Sequence, residues 1–336
     1  PNLINDCRVG DRLHLGESAI VEVTDVGADH LTARVVFDGS LTGRGAVKLP
    51  RQSAQLPSIT DPVREEVRRF NEADVDIVAA SARRRADLDE LDVGGPTGPM
   101  LVAKIESMEA YHNLADLIDV AGGIILGRGG LGLEAPLQDL PHIQKHVTER
   151  CIASGLPVTI ASQMLDSMIT APTPTRAETT DVSNAILDGA SAVMLSAETA
   201  VGAHPALVVE TMARIAARAD DQFHHHRWAE RVAELRMADR GADDDVSITD
   251  AMTIGAARSA EDVGLTTLLC LTTGGFTARS MARFRPRAQV LGVSDREATV
   301  RQLAGSWGVT PVLYSPTTTA YVPRVDEAIA RTKELG

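Results

Sequence analysis

The sequence predicts an α/β protein built in three parts, and three observations carry that reading. Between about residues 58 and 222, short apolar runs alternate with stretches of helical periodicity, as in a parallel sheet with right-handed crossovers. Residues 1–57 lack that alternation and read as a β-rich cap, with β-branched runs broken by glycine. Residues 246–336 return to strand and helix after a charged segment at 223–245. A chain of 336 residues has room for two or three cores of useful size.

In the cap, Arg12–Leu15, Ala19–Val23 and Leu31–Phe37 are the expected strands, punctuated by Gly16, Gly27, Gly39, Gly43 and Gly45. Pro50 and Pro57 bracket the connector that follows. In the central part the expected strands are Val75–Ser81, Leu101–Glu106, Gly123–Leu126, Pro157–Ser162 and Ala192–Ser196. The expected helices are Pro62–Asn71, Met108–Val120, Gln138–Ser154, Asp181–Leu187 and Pro205–Asp220. Five such strands are too few to close an eight-stranded barrel. The 223–245 segment contains His224, His225 and His226. Three adjacent histidines cannot face one ion from a helix, so a solvated linker or helix face is expected. The last part reads helix Asp250–Val263, strand Thr267–Leu271, helix Phe276–Phe284, strand Gln289–Val293, helix Glu297–Gly305 and strand Val309–Tyr314. A closing helix is expected near Val325–Glu334.

Composition narrows the function. A formal charge of −13 and the lack of a basic, aromatic-rich stretch argue against a nucleic-acid surface. No run is long and apolar enough to span a membrane, and no signal peptide is expected before Pro1. Cys7, Cys151 and Cys270 are odd in number and form no CxxC pair, as expected of a reduced, cytoplasmic protein. Aromatic residues make up only 3%, so the core must be mostly aliphatic.

The chemistry concentrates in Met100–Gly132. Lys104 and Glu106 are two apart on one expected strand and project from the same face, near its C-terminal end. There an ammonium can stabilise an enolate or a transferring phosphoryl group and a carboxylate can hold Mg²⁺; a structural salt bridge is the simpler reading. Gly127–Gly132 is either an anion nest of backbone N–H groups or merely a tight turn. Ser162, followed by Gln163, is either a proton relay or a hydroxyl bonding the next turn. All three lie at C-terminal ends of expected parallel strands, so one sheet would bring them together.

These residues resemble the pyruvate kinase family over nearly the whole chain. Met100–Asn113, with Lys104-Ile105-Glu106, is similar to that family's active-site signature, and Gly127–Gly132 to its ARGDLG turn. Ala161–Met168, Pro172–Glu178, Asp181–Gly189 and Met194–Gly202 follow as further matching blocks, then Leu271–Arg279 and Arg301–Pro311. The resemblance implies an incomplete TIM-type (β/α) barrel carrying a small β-barrel cap and a C-terminal α/β domain of effector type. It implies Lys104, Ser162 and Arg128 as catalytic residues, with Lys104 stabilising the enolate and Ser162 near the carbon that is protonated. Gly129 and Gly130, with Ser162, would bind substrate, and Glu106 would bind Mg²⁺ or Mn²⁺. Thr272, Thr273, Gly274, Gly275 and Thr277 would form an effector phosphate loop.

The departures shape the functional reading. Gly130 stands where the family has the second metal carboxylate, leaving Glu106 alone. The chain starts in the cap, so the first three barrel units and their K⁺ site are expected to be absent. The cap's nucleotide motif is altered at Arg44–Pro50, and its turn at Gly16-Glu17-Ser18. Five unclosed strands leave two edges and an apolar interior, whose exposure costs on the order of 10 kcal/mol over several hundred Å². A second copy, a partner polypeptide or the cap itself is expected to cover them, unless the chain is a fragment of a longer one. The readings are phosphoryl transfer between phosphoenolpyruvate and ADP or a related metal-assisted enolate reaction, a repurposed 2-oxo acid lyase, or a catalytically impaired relative with a binding role.

Overall fold

A computed structural model describes residues 3–15, 19–39, 47–48, 59–93, 98–238 and 248–334. The cap holds helix α1 (Leu3–Asp6) and strands β1 (Arg12–Leu15), β2 (Ala19–Val26), β3 (Leu31–Phe37) and β4 (Val47–Lys48). They form an antiparallel sheet in the order β3-β2-β1-β4, folded over Cys7, Leu13, Val21 and Val23. The Gly16-Glu17-Ser18 turn and most of Arg44–Pro50 lie outside the described residues.

The central part runs α2 (Asp61–Glu72), β5 (Ile77–Ser81), α3 (Arg85–Asp89), β6 (Met100–Ile105), α4 (Met108–His112), α5 (Leu114–Ile118), β7 (Gly123–Gly127) and α6 (Arg128–Leu131). It continues with α7 (Leu140–Ala153), β8 (Val158–Ala161), α8 (Arg176–Leu187), β9 (Ala192–Met194), α9 (Ala197–Ala200) and α10 (Pro205–Asp221). The expected Met108–Val120 helix divides at Asn113, whose backbone leaves helical geometry and whose side-chain amide donates to the Arg83 carbonyl at 2.9 Å. The glycine-rich stretch after β7 is a single helical turn, α6, and α3 is an addition to the expected set. Helix starts follow local chemistry: Thr175 and Glu178 make a reciprocal capping box at α8, and proline opens α2, α7 and α10.

The five strands lie side by side in the order β5-β6-β7-β8-β9, all parallel. Neither edge strand pairs further among the described residues, so this sheet does not close on itself. Helices cover one face, over a core of Ile105, Leu117, Ile124, Leu126, Ile160 and Met164. On β5 the alternation is plain: Val78 and Ala80 are buried, while Ile77, Ala79 and Ser81 point to the uncovered side.

Helix α11 (His225–Ala238) leads to a second parallel sheet. This last part holds α12 (Ile248–Val263), β10 (Thr267–Leu271), α13 (Phe276–Ala282), β11 (Gln289–Ser294), α14 (Glu297–Leu303), β12 (Val309–Leu313) and α15 (Tyr321–Glu334), with strand order β10-β11-β12. Within the charged segment His225–Ala238 is thus helical with one buried face, since Val232 and Ala233 enter the core.

The two parallel sheets are joined through Arg285, whose backbone is left-handed at φ 47°. Its guanidinium donates to the carbonyls of Ile186 and Ala190 at 3.2 and 2.6 Å, and stacks 4.5 Å from the ring centres of Phe223 and Trp307. Burial lowers its pKa to about 10. Arg283 beside it donates to the Ala153 carbonyl and to the buried Asp250 carboxylate, which Arg236 also holds. Glycine is required at 189: φ is +106°, and a β-carbon there would stand 2.2 Å from the Trp228 ring.

Candidate active site

Strand register brings the sequence candidates to one edge. Ser81 pairs with Lys104, Ile105 with Leu126, and Gly127 with Ala161, so Ser81, Lys104, Glu106, the start of α6 and Ser162 all lie at C-terminal strand ends. The Lys104 ammonium is 2.9 Å from one Glu106 oxygen. The Ser81 hydroxyl donates to the other at 2.5 Å. Both charged side chains keep about a third of their surface, 30% and 34%. The group is therefore reachable from solvent while fixed in orientation. Glu106 in turn dictates its neighbour, because a β-carbon at 127 would fall 2.7 Å from its Cγ.

Ser162 and Gln163 both occupy left-handed backbone, at φ 72° and 54°, which non-glycine residues adopt only when surrounding contacts hold them. Arg128 is the holder. Its Nη2 donates to the Ser162 carbonyl at 2.7 Å and to the Gln163 carbonyl at 3.2 Å, while its Nη1 meets Asp181 at 2.6 Å. The strained turn sets Ser162 beside Gly129: a β-carbon on Gly129 would stand 3.7 Å from the Ser162 hydroxyl. Gly129 and Gly130 sit within α6.

The donor set limits what cation the site can hold. Glu106 is a single carboxylate, already engaged by Lys104 and Ser81. Glu134 accepts from the Met108 backbone N–H at 2.8 Å, which commits it to the start of α4. Among the described residues no group of three or more His, Cys, Asp or Glu could hold a metal.

Sequence reasoning missed three participants. Ser81 was visible only through the β5–β6 register, Asp181 through the fold that carries α8 to Arg128, and Glu198 through its burial. Glu198 is 2% exposed and accepts from the backbone N–H groups of Leu165 and Ser196. The C-terminal loop follows β10: Thr272 N–H donates to the Val293 carbonyl, Thr299 donates to the Thr273 carbonyl, and Gly275 is left-handed before α13. Thr273 and Gly274 are exposed, and Thr277 is half-buried. Of the histidines, His225 Nδ1 donates to the Arg285 carbonyl, and His226 lies between Glu230 and Glu261. The three cysteines are buried, and desolvation pushes the Cys270 thiol up to about 11.

Known proteins resemble this chain over most of its length. The family model for the pyruvate kinase barrel domain matches residues 1–209, and that for the pyruvate kinase alpha/beta domain matches residues 250–336. The chain belongs to the pyruvate kinase family. It is 32% identical over 318 residues to a pyruvate kinase of Clostridium acetobutylicum, covering 93% of this chain and 66% of that protein. It is 35% identical over 317 residues to one of Geobacillus stearothermophilus and 36% over 321 residues to one of Staphylococcus aureus, each covered to 53% of its length. The chain thus spans between about half and two thirds of these pyruvate kinases. The α/β architecture, with a parallel sheet and a separate C-terminal α/β domain, is that of the family. No helix among the described residues is long and apolar enough to cross a membrane.

Proposed function

We propose that this chain carries the enolate-stabilising part of a pyruvate kinase-type site, acting in phosphoryl transfer between phosphoenolpyruvate and ADP or in a related metal-assisted enolate reaction. The observation that carries this reading is the Lys104–Glu106–Ser81 cluster, held at the C-terminal edge of the sheet beside Gly127. In the transfer direction the bond from phosphorus to the enol oxygen breaks, an ADP oxygen bonds to phosphorus, and a proton then reaches the terminal carbon to give pyruvate. Lys104 faces the charge that develops on the enolate oxygen. Backbone N–H groups at Gly129 and Gly130 hold the substrate carboxylate, and the Ser162 hydroxyl passes the proton. Glu106 would hold Mg²⁺ or Mn²⁺, which supplies charge neutralisation at the substrate oxygens. By the same family likeness the Thr272–Thr277 loop, exposed at Thr273 and Gly274, would take an anionic effector.

A second reading rests on Gly130, where the family's other metal carboxylate would stand. It makes the chain a catalytically impaired relative that binds ligands, or a lyase redirected to a 2-oxo acid. Pyruvate release from phosphoenolpyruvate and ADP, followed through NADH consumption by lactate dehydrogenase, separates them. Turnover that Lys104→Met abolishes supports the kinase reading. Its absence at high enzyme concentration, with oxalate binding retained, supports the second.

A further inference from the structure

A cavity lies where the two parallel sheets meet, beside Pro157 and Ser191 at the N-terminal ends of β8 and β9, and so at the opposite end of the strands from Lys104. It offers about 30 Å³, room for one or two water-sized particles. Arg279, Arg283 and Arg285 line it, and no carboxylate among the described residues does. The charges around that wall do not balance. Asp250 meets Arg283 but is shared with Arg236. Asp220 is the carboxylate whose charge acts on Arg285. Arg279 donates to the Gly274 carbonyl at 3.0 Å and makes no ion pair among the described residues. Four guanidiniums thus meet two carboxylates. Burial disfavours the charge on Arg279, Arg283 and Arg285, yet a guanidinium keeps its proton near neutrality. Buried cations in excess call for an anion.

Buried donors in the same wall point the same way. Ser306 lines the cavity, is 8% exposed, and its hydroxyl has no hydrogen-bond partner among the described residues. The Nε of Arg283, whose side chain is 3% exposed, has none either. Such groups are normally satisfied in a folded interior. An arginine Nε can only donate and a serine hydroxyl can, so the matching species is an acceptor. We propose that this junction cavity binds one small monovalent inorganic anion, about the size of chloride, held by Arg279, Arg283 and Ser306. A tetrahedral oxyanion of five heavy atoms is too large for the space. Arg279 and Arg283 come from α13 and its C-cap, Ser306 from the turn after α14, and the floor from the strand starts of the central sheet. The anion therefore ties the C-terminal sheet to the central one, and its binding stabilises their junction.

The chain carries its own reporter, since both of its tryptophans, Trp228 and Trp307, line the cavity. Bromide has the charge and nearly the size of chloride, and as a heavy atom it quenches indole fluorescence. The full chain is titrated with bromide at constant ionic strength, balanced with gluconate, which is too bulky to enter. The expected result is a saturable loss of fluorescence above the linear collisional background, reversed by chloride. Ser306→Ala and Arg279→Gln should each weaken the saturable phase about tenfold, the scale of one hydrogen bond to a charged group. Chloride in place of gluconate should also raise the melting temperature of the parent. Ser306→Ala should lose most of that rise while melting like the parent in gluconate, where it removes only an unpartnered hydroxyl. Linear quenching alone, saturation that chloride does not reverse, or a saturable phase indifferent to both substitutions would overturn the proposal and leave the cavity to water. If neither variant folds, the chloride competition in the parent decides, because the reporting tryptophans stand in the cavity wall.

Discussion

Glu106 and Gly127 face each other so closely that no side chain fits between them: a β-carbon at 127 would stand 2.9 Å from a Glu106 carboxylate oxygen as well as 2.7 Å from its Cγ. The carboxylate that Lys104 and Ser81 hold is thus fixed from a third side by backbone. Gly127→Ala must push Glu106 aside and break the Ser81 hydrogen bond. We expect a loss of about 1–3 kcal/mol of stability, the usual cost of overpacking, read as a lower urea midpoint. Ligand binding that depends on Glu106 should fall with it.

Arg128 restrains two left-handed residues through their carbonyls, so its removal should loosen the turn. Arg128→Met strips the Ser162 and Gln163 carbonyls of a donor and leaves Asp181 without its cation. A destabilisation of roughly 2–4 kcal/mol is expected from the lost charge-assisted hydrogen bonds. Faster amide exchange confined at first to residues 162–165 would locate the effect.

Arg285 fills the junction between the two parallel sheets. Arg285→Met keeps much of the bulk but leaves the Ile186 and Ala190 carbonyls unsatisfied and removes the stacking on Phe223 and Trp307. We expect about 2–4 kcal/mol of destabilisation. In calorimetry, a transition that is single in the parent should broaden or split as the C-terminal domain melts earlier.

Glu178 links acid to stability. Burial alone would raise its pKa, but hydrogen bonds from Ser167 and Thr175 outweigh that and hold it below the ordinary value of 4.5. A carboxylate depressed in the folded state contributes stability above its unfolded pKa and loses it as pH falls through the folded one. Unfolding free energy measured by urea should therefore drop below about pH 4.5, and Glu178→Gln should flatten that slope.

The fold was largely legible because buried parallel strands leave continuous apolar runs, and all eight α/β strands fall where those runs lie. Helix ends were less legible. The N-terminal half of α8 is polar and shows no hydrophobic periodicity; only the Thr175–Glu178 capping box reveals its start. The site was legible where chemistry is local, as at Lys104 and Glu106. It was not where partners are brought from a distance: Ser81 meets Glu106 across 25 residues, and Asp181 meets Arg128 across 53. The left-handed backbone at Ser162 and Gln163 carries no sequence mark, because tertiary contacts impose it against local preference.

The most direct measurement is water-proton relaxation of Mn²⁺ titrated into the chain with and without oxalate, a mimic of the pyruvate enolate. If Glu106 holds a cation that shares its ligands with the substrate, enhancement should be weak with Mn²⁺ alone, strong once oxalate is added, and lost in Glu106→Ala. Equal enhancement by the parent and Glu106→Ala, or none in the presence of oxalate, would contradict it.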